Sequence, residues 1–305
     1  MSSIKNVTVA GVNGAVGPDI VNALLQAGFN LQLFTRPSST KPHFPGAKVV
    51  EIDYEDRTAV ERALHGQDAV VSALGATAMG AQETLIHASI AAGVKRFFPS
   101  EYGCDLANPR VNKFPVFADK VKHEALLTKL ANEHQDFSYT LIYNGPFLDW
   151  GIISAPLLLN VGDKSAEVFD AGDVPFSATR TGTIGKAVAG ALLHAEKTKN
   201  RALYIHDAIV TQNQLIERAE RLTQQQFKKV PVDSQALETE SWALVQDPSA
   251  NPMTWIFNFI KIGIFAKEEL CKWDKSDNEL VGIQELKGAE LEDVLDGILA
   301  KAIKN

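Results

Sequence analysis

Three groups of residues in this chain have types and spacings that could do chemistry. Gly11, Gly14 and Gly17 follow directly on Val7-Thr8-Val9-Ala10. A strand that ends this way brings bare backbone up to an anion. Gly11 permits the tight turn, Gly14 the close approach of a pyrophosphate and Gly17 the packing of a helix on its strand, with Asn13, Ala15 and Val16 completing the turn. The second group is Thr35-Arg36-Pro37-Ser38-Ser39. It stands where a dinucleotide site usually places the acid that holds a ribose 2′-hydroxyl. A guanidinium with two serine hydroxyls suits a 2′-phosphate instead, which favours NADPH over NADH. Lys41, taken alone, reads as a solvated loop residue. The third is Lys120, on a helix that follows a long loop. A nicotinamide cofactor handles the hydride, so the protein is left to position the substrate and move a proton, a task a helix lysine near the crevice can serve.

The usual short-chain dehydrogenase pair, a Tyr with Lys four positions later, is absent. Thr58, Leu106, Tyr143, Phe147 and Ala208 occupy those positions. Lys122 and His123 rival Lys120. They point about 200° and 300° around an α-helix from it, so one of the three is expected to face the cofactor.

The elements that must hold these groups alternate. A buried strand leads through the glycines into an amphipathic run over 20–27 stopped by Gly28, and a second strand over 31–35 completes a βαβ unit. A third strand over 48–53 precedes a helix reaching 64. Asp53, at its end, is either a contact on the adenine side of a cofactor or a helix cap. The fourth strand, 68–73, runs into a small, polar stretch in which Ser72, Ala73, Leu74 and Gly75 would let a dinucleotide lie across the strand ends. A helix over 81–92 stops at Gly93. The fifth strand, 95–99, opens into a long loop beginning at Ser100, and a helix over 115–134 carries Lys120. The sixth strand, 137–143, ends in Asn144-Gly145-Pro146-Phe147, so both loops reach one crevice. Beyond 153 the pattern loosens. A short strand over 164–169, a small-residue helix over 181–194 that should pack closely on the sheet, a seventh strand over 202–206 and a polar helix over 212–225 follow.

These observations predict an α/β chain built as a doubly wound parallel sheet, the Rossmann arrangement. Residues 1–155 form the NADP-binding core. Residues 156–305 return to that core over about 180–226 and otherwise form a smaller carboxyl-terminal substrate lobe. The aromatic residues of 255–260 and 262–265 are expected to line a substrate cleft or pack the lobe rather than meet a membrane, being short and interrupted by Lys261.

With 305 residues, 45% hydrophobic and 22% charged, a large core is expected, and the net charge of −7 argues against nucleic-acid affinity. Two cysteines, Cys104 and Cys271, are too few for a disulfide framework and too far apart in sequence for a metal motif, which indicates a reducing compartment and no metal. The chain enters its first strand almost at once and contains no run of 18 apolar residues. A cytoplasmic address without leader or membrane span is therefore expected.

Gly11 to Gly17, Thr35-Arg36, Phe98-Pro99-Ser100-Glu101-Tyr102-Gly103, Phe117-Ala118-Asp119-Lys120 and Asn144-Gly145-Pro146-Phe147 occur in the order of the isoflavone reductase-like, or NmrA-like, family, which about half the chain resembles. The resemblance implies an NADPH-dependent atypical short-chain dehydrogenase/reductase acting on a small aromatic partner, as the isoflavone, pinoresinol–lariciresinol and phenylcoumaran benzylic ether reductases do, present as a monomer or homodimer. The family also contains regulators that bind dinucleotide without obvious turnover. By the same resemblance Arg36 is the 2′-phosphate ligand, Lys120 the catalytic lysine and Phe147 the aromatic residue flanking the nicotinamide. The chain departs from the plant reductases at Glu124 and Ala125, where basic residues are common one turn after the lysine. It departs again at Thr183-Ile184-Gly185, which replaces a more usual Asp-Ile-Gly.

Overall fold

A computed structural model describes residues 4–304. Part of the amino-terminal stretch behind the no-leader expectation, residues 1–3, lies outside the described residues. β1 (Asn6–Ala10) leads into α1 (Gly17–Gln26) and β2 (Asn30–Thr35); β3 (Ala47–Glu51), α2 (Arg57–Leu64), β4 (Ala69–Ser72), α3 (Ala81–Ala91), β5 (Arg96–Phe98), α4 (Ala118–Glu133) and β6 (Ser138–Tyr143) continue the alternation. α5 (Trp150–Ile153), β7 (Ser165–Phe169) and β8 (Phe176–Ala178) leave the sheet, and α6 (Thr181–Leu193), α7 (Ala195–Thr198) and β9 (Arg201–Tyr204) return to it. β10 (Ala208–Val210), α8 (Gln212–Thr223), β11 (Lys228–Val232), α9 (Ser234–Gln246), α10 (Pro252–Phe265) and α11 (Gly288–Lys304) follow.

The main sheet has seven parallel strands in the order β3-β2-β1-β4-β5-β6-β9. Strand residues alternate between two apolar layers. Val7, Val9, Leu33 and Val71 pack beneath α1 and α6, while Ala10, Phe34, Val70 and Phe97 pack beneath α2, α3 and α4. Full burial of each such aliphatic side chain contributes about 1.5–3 kcal/mol, and that two-sided burial is why the strands read as apolar runs. The chain reverses direction across the sheet between β1 and β4. In a doubly wound sheet that reversal opens a crevice at the strands' carboxyl ends.

Local signals set the element ends. α2 is capped by Asp56, whose carboxylate accepts from Ala59 N–H at 2.9 Å, and α8 carries a reciprocal capping box of Thr211 and Gln214. Residues 115–117, expected within the α4 helix, form a separate 3₁₀ turn before it. The small-residue helix α6 packs on α1 as well as on the sheet: a Cβ on Gly185 would lie 2.4 Å from the Asp19 carbonyl oxygen, an approach only glycine allows. Its Thr183, in place of the usual Asp, donates to the buried Asp207 carboxylate at 2.9 Å.

Outside the sheet, β7 pairs in parallel with β11, and β8 pairs antiparallel with β10. The smaller part of the chain is thus assembled from segments on both sides of α6 and β9. α10 lies at its centre, with Phe259 stacked at 4.9 Å on Phe114 and Phe265 at 5.3 and 5.2 Å from Phe169 and Phe176. The aromatic segment therefore packs the lobe. Among the described residues no helix is long and apolar enough to cross a membrane.

Candidate active site

The crevice at the β1/β4 reversal holds a cleft of about 230 Å³. Gly11, Asn13, Gly14, Thr35, Arg36, Ser39, Ala73, Leu74 and Gly75, all expected there, line it. The three glycines differ in what they do. Gly11 has φ +85°, and a Cβ there would fall 2.2 Å from the Ala73 carbonyl oxygen, so the turn itself requires glycine. At Gly17 a Cβ would lie 2.4 Å from the Gly11 carbonyl oxygen, which makes this the helix-on-strand contact. Gly14 is under no such demand. Its φ is ordinary, and a Cβ would meet Gly11 and Ala73 oxygens at 3.3 and 3.4 Å. Its bareness serves the cleft more than the fold.

Behind Gly14, α1 begins at Gly17 with Val16 as N-cap, a residue that supplies no side-chain cap. No side chain caps the first-turn N–H groups of Gly17 and Asp19, Pro18 having none, and such a terminus suits a phosphate. Arg36 stands exposed on the rim beside Tyr54. Lys41, by contrast, is paired with Glu51 at 2.6 Å, as its solvated reading anticipated. Asn13 reaches across and donates to the Thr40 carbonyl at 2.8 Å, fastening the Arg36 loop to the glycine turn. These donors and the bare backbone at Gly14 fit a dinucleotide carrying a 2′-phosphate.

Other expected residues stand elsewhere. Ala15, Val16 and Gly17 form the turn and helix start behind the cleft, and Ser38 lies exposed in the Arg36–Ser39 turn. Asp53 neither caps α2 nor lines the cleft; its carboxylate accepts from Glu55 N–H at 3.0 Å. Its neighbour Tyr54 lines the cleft instead, with Val12, Phe34, Thr77 and Ala78. Tyr54 lies in the turn that follows β3. Ser72 is buried with its hydroxyl unpartnered. Ser100 is a strut: its hydroxyl donates to the Leu74 carbonyl at 2.9 Å, and its N–H donates to Gln82 at 2.7 Å.

That strut connects the cleft to Lys120. Leu74 lines the cleft, Ser100 binds Leu74, and the carbonyl of the next residue, Glu101, accepts from Lys120 Nζ at 2.6 Å. Of the three rivals on α4, Lys120 bonds the strut directly, and His123 reaches it only through Gln82. Lys122 is exposed and paired with Glu83 at 2.6 Å. His123 is buried against Gln82, and burial holds its pKa below the ordinary value. Asn144, Pro146 and Phe147 flank the same loop. Asn144 N–H bonds Gly103 O at 3.1 Å, its Oδ1 is buried without a partner, the Pro146 carbonyl accepts from Thr179 N–H at 3.1 Å, and Phe147 meets Trp150 edge-on at 6.2 Å.

Beneath Lys120 lies a group of ionisable side chains that sequence spacing did not bring together. The Glu101 carboxyl is buried, with neither oxygen hydrogen-bonded by geometry. Burial, opposed by Lys120 and reinforced by Glu124, pushes its pKa up to about 8. Glu124, one turn after Lys120, accepts from the Tyr143 hydroxyl at 2.7 Å. Burial raises its pKa too, against the Tyr143 bond and the Lys120 charge, which favour the carboxylate. A second hollow, of about 260 Å³ between 156–160 and β7, shares no lining residue with the cleft.

The family model that matches this chain is the NmrA-like family, over residues 3–265. An oxidoreductase, poxI of Penicillium oxalicum, is 30% identical over 93% of this chain and 91% of that protein. The structure of AtPrR2 with NADP+ and (+)pinoresinol superposes with a TM-score of 0.76 at 20% identity, covering 98% of this chain and all of the other. The binary complex of leucoanthocyanidin reductase with NADPH from Vitis vinifera gives 0.74 at 20% identity, over 97% of this chain and 100% of that one.

Proposed function

The chain belongs to the NmrA-like family, and from that premise we propose that it is an NADPH-dependent reductase of a small aromatic, phenolic or quinone-like molecule, working in the cytoplasm. The observation that carries this reading is the placement of Lys120. Its Nζ is held by the Glu101 carbonyl, two hydrogen bonds from a cleft suited to a 2′-phosphorylated dinucleotide. Bound NADPH supplies the hydride. Everything else is asked of the protein. Arg36 and Ser39 hold the 2′-phosphate, the bare backbone at Gly14 and the α1 terminus take the pyrophosphate, and Phe147 bounds the nicotinamide side. Lys120 gives a proton to the oxygen on which negative charge develops, a step that contributes roughly 10² to 10⁴-fold when correctly placed. The lobe built from 156–179 and 208–304 closes the aromatic substrate in.

The second reading is a dinucleotide-sensing regulator without turnover. It is favoured by Glu124, an acid where the plant reductases carry basic residues. A screen of substrate-dependent NADPH oxidation across phenolic ethers, quinones and enones decides between them. Turnover of any one class supports the reductase. Tight NADPH binding with no turnover across the screen moves the conclusion to the sensor.

A further inference from the structure

The strut between the cleft and Lys120 is itself held from behind, by Gln82 on α3 and His123 on α4, both buried. The N–H of Ser100 donates to Gln82 Oε1 at 2.7 Å, and Gln82 Nε2 lies 3.1 Å from His123 Nδ1. A backbone N–H can only donate, so the oxygen end of the amide must face Ser100. The nitrogen end therefore faces His123, and an amide nitrogen can only donate too. His123 Nδ1 is thus the acceptor and carries no proton: the imidazole is neutral, with its proton on Nε2. Burial, aided by Lys122 and opposed by Asp119 and Glu83, holds the His123 pKa below its ordinary value and so acts in the same direction.

We propose that Gln82 is a positioning residue for the dinucleotide site, its amide locked in one orientation by His123 so that Ser100 and the cleft wall it supports keep a single place. Gln82 does not line the cleft; it acts through Ser100. From there two bonds diverge. The Ser100 hydroxyl donates to the Leu74 carbonyl in the cleft wall at 2.9 Å, and the carbonyl of the next residue, Glu101, accepts from Lys120 Nζ at 2.6 Å. Gln82 also grips the wall's own chain, because its N–H donates at 3.0 Å to the carbonyl of Met79, the residue after the cleft-lining Thr77 and Ala78. One side chain thus ties the segment after β4, the loop after β5 and α4 together. Without His123 the amide is free to turn over, and two N–H donors then oppose each other at Ser100. The idea rests on the dinucleotide part of the reductase reading and not on turnover.

The test needs NADPH and no substrate. In protein carrying isotope-labelled histidine, the ring signals of His123, identified by their loss in His123→Leu, are expected to show a bare Nδ1 and a protonated Nε2 at about pH 8, above the ordinary His range. Gln82→Leu removes both side-chain bonds. It is expected to weaken NADPH binding about tenfold by calorimetric titration, the effect of leaving the buried Ser100 N–H without its acceptor, and to release His123 from that single tautomer. Gln82→Glu is the rescue: a carboxyl offers Ser100 an acceptor in either protonation state, so affinity is expected within about twofold of the wild type. Should Gln82→Leu fail to fold, His123→Leu, which frees the amide to turn, is expected to weaken binding about threefold or more. A proton on Nδ1 in the wild type overturns the proposal. So does wild-type affinity in Gln82→Leu, or in His123→Leu in its stead, and so does a Gln82→Glu protein that binds as weakly as Gln82→Leu. The two readings fail separately: a wild type that binds no NADPH sinks the dinucleotide site and the positioning role with it, whereas equal binding by wild type and variants sinks the positioning role alone.

Discussion

The dinucleotide cleft and the Lys120 site lie a strut apart and are built in opposite ways. The cleft is walled mostly by glycine, small and uncharged side chains, with Phe34 and Tyr54 beside them and Arg36 as the one cation on its rim among the described residues. The Lys120 site is walled by ionisable groups drawn from α4, β6 and the loop after β5, two of them carboxyls with raised pKa. Binding a phosphate needs N–H groups and room, which a bare turn supplies. Moving a proton needs charges whose balance is tuned by burial, and those must come from several elements at once. The difference teaches that one part should answer to changes of volume and the other to changes of charge.

The sharpest way to break that division is Lys120→Ala. Turnover should fall roughly 10² to 10⁴-fold while NADPH affinity, measured by calorimetric titration, stays within about twofold. A large loss of affinity would show that the two sites are one. The next largest effect belongs to Gly14→Val. A Cβ at 14 needs its neighbours to yield only a few tenths of an ångström, so the fold should survive with Tm lowered by a few degrees, but the space for pyrophosphate is filled and binding is lost. Gly17→Val is the control, because a Cβ 2.4 Å from the Gly11 oxygen must unseat α1 and lower stability. A folded Gly14→Val that binds NADPH normally overturns the assignment of that glycine.

Arg36→Ala comes third. It should remove about 1.5–3 kcal/mol of NADPH affinity and little of NADH affinity, erasing the preference. Equal wild-type affinities for the two cofactors would remove Arg36 from the site. A smaller and purely electrostatic effect concerns Glu101. The folded chain keeps that carboxyl protonated up to about pH 8, whereas the unfolded chain releases the proton near 4.3. Between about pH 5 and 8 the unfolded state thus binds fewer protons, and the wild type should lose about 1.4 kcal/mol of stability per pH unit as pH rises. Glu101→Gln should abolish that slope while matching the wild type near pH 5, a comparison that urea unfolding at several pH values makes. Parallel slopes would mean that the carboxyl ionises freely in the fold. The smallest effect is expected of Lys122→Ala, whose partner Glu83 is also solvent-accessible: turnover within about twofold and stability within about 1 kcal/mol.

How much of this was legible in the sequence follows from the range of the forces involved. The α/β alternation, the glycine turn, Arg36 at the end of β2 and the divergence of Lys120, Lys122 and His123 around α4 all rest on local pattern: strand runs buried on both faces, a turn needing φ > 0 at Gly11, and the helical geometry that points Lys122 outward and His123 into the core. Each is decided within a few residues, so the chain alone determined it. The tertiary structure alone decided that β7 pairs with β11 across the returning segment, that Tyr54 rather than Asp53 faces the cleft, that Ser100 is a strut to Leu74, and that Glu101, Glu124 and Tyr143 meet under Lys120. Those meetings join residues far apart in sequence. The raised pKa of Glu101 exists only because the fold excludes water from it, and burial is a property of the assembled whole that no spacing encodes.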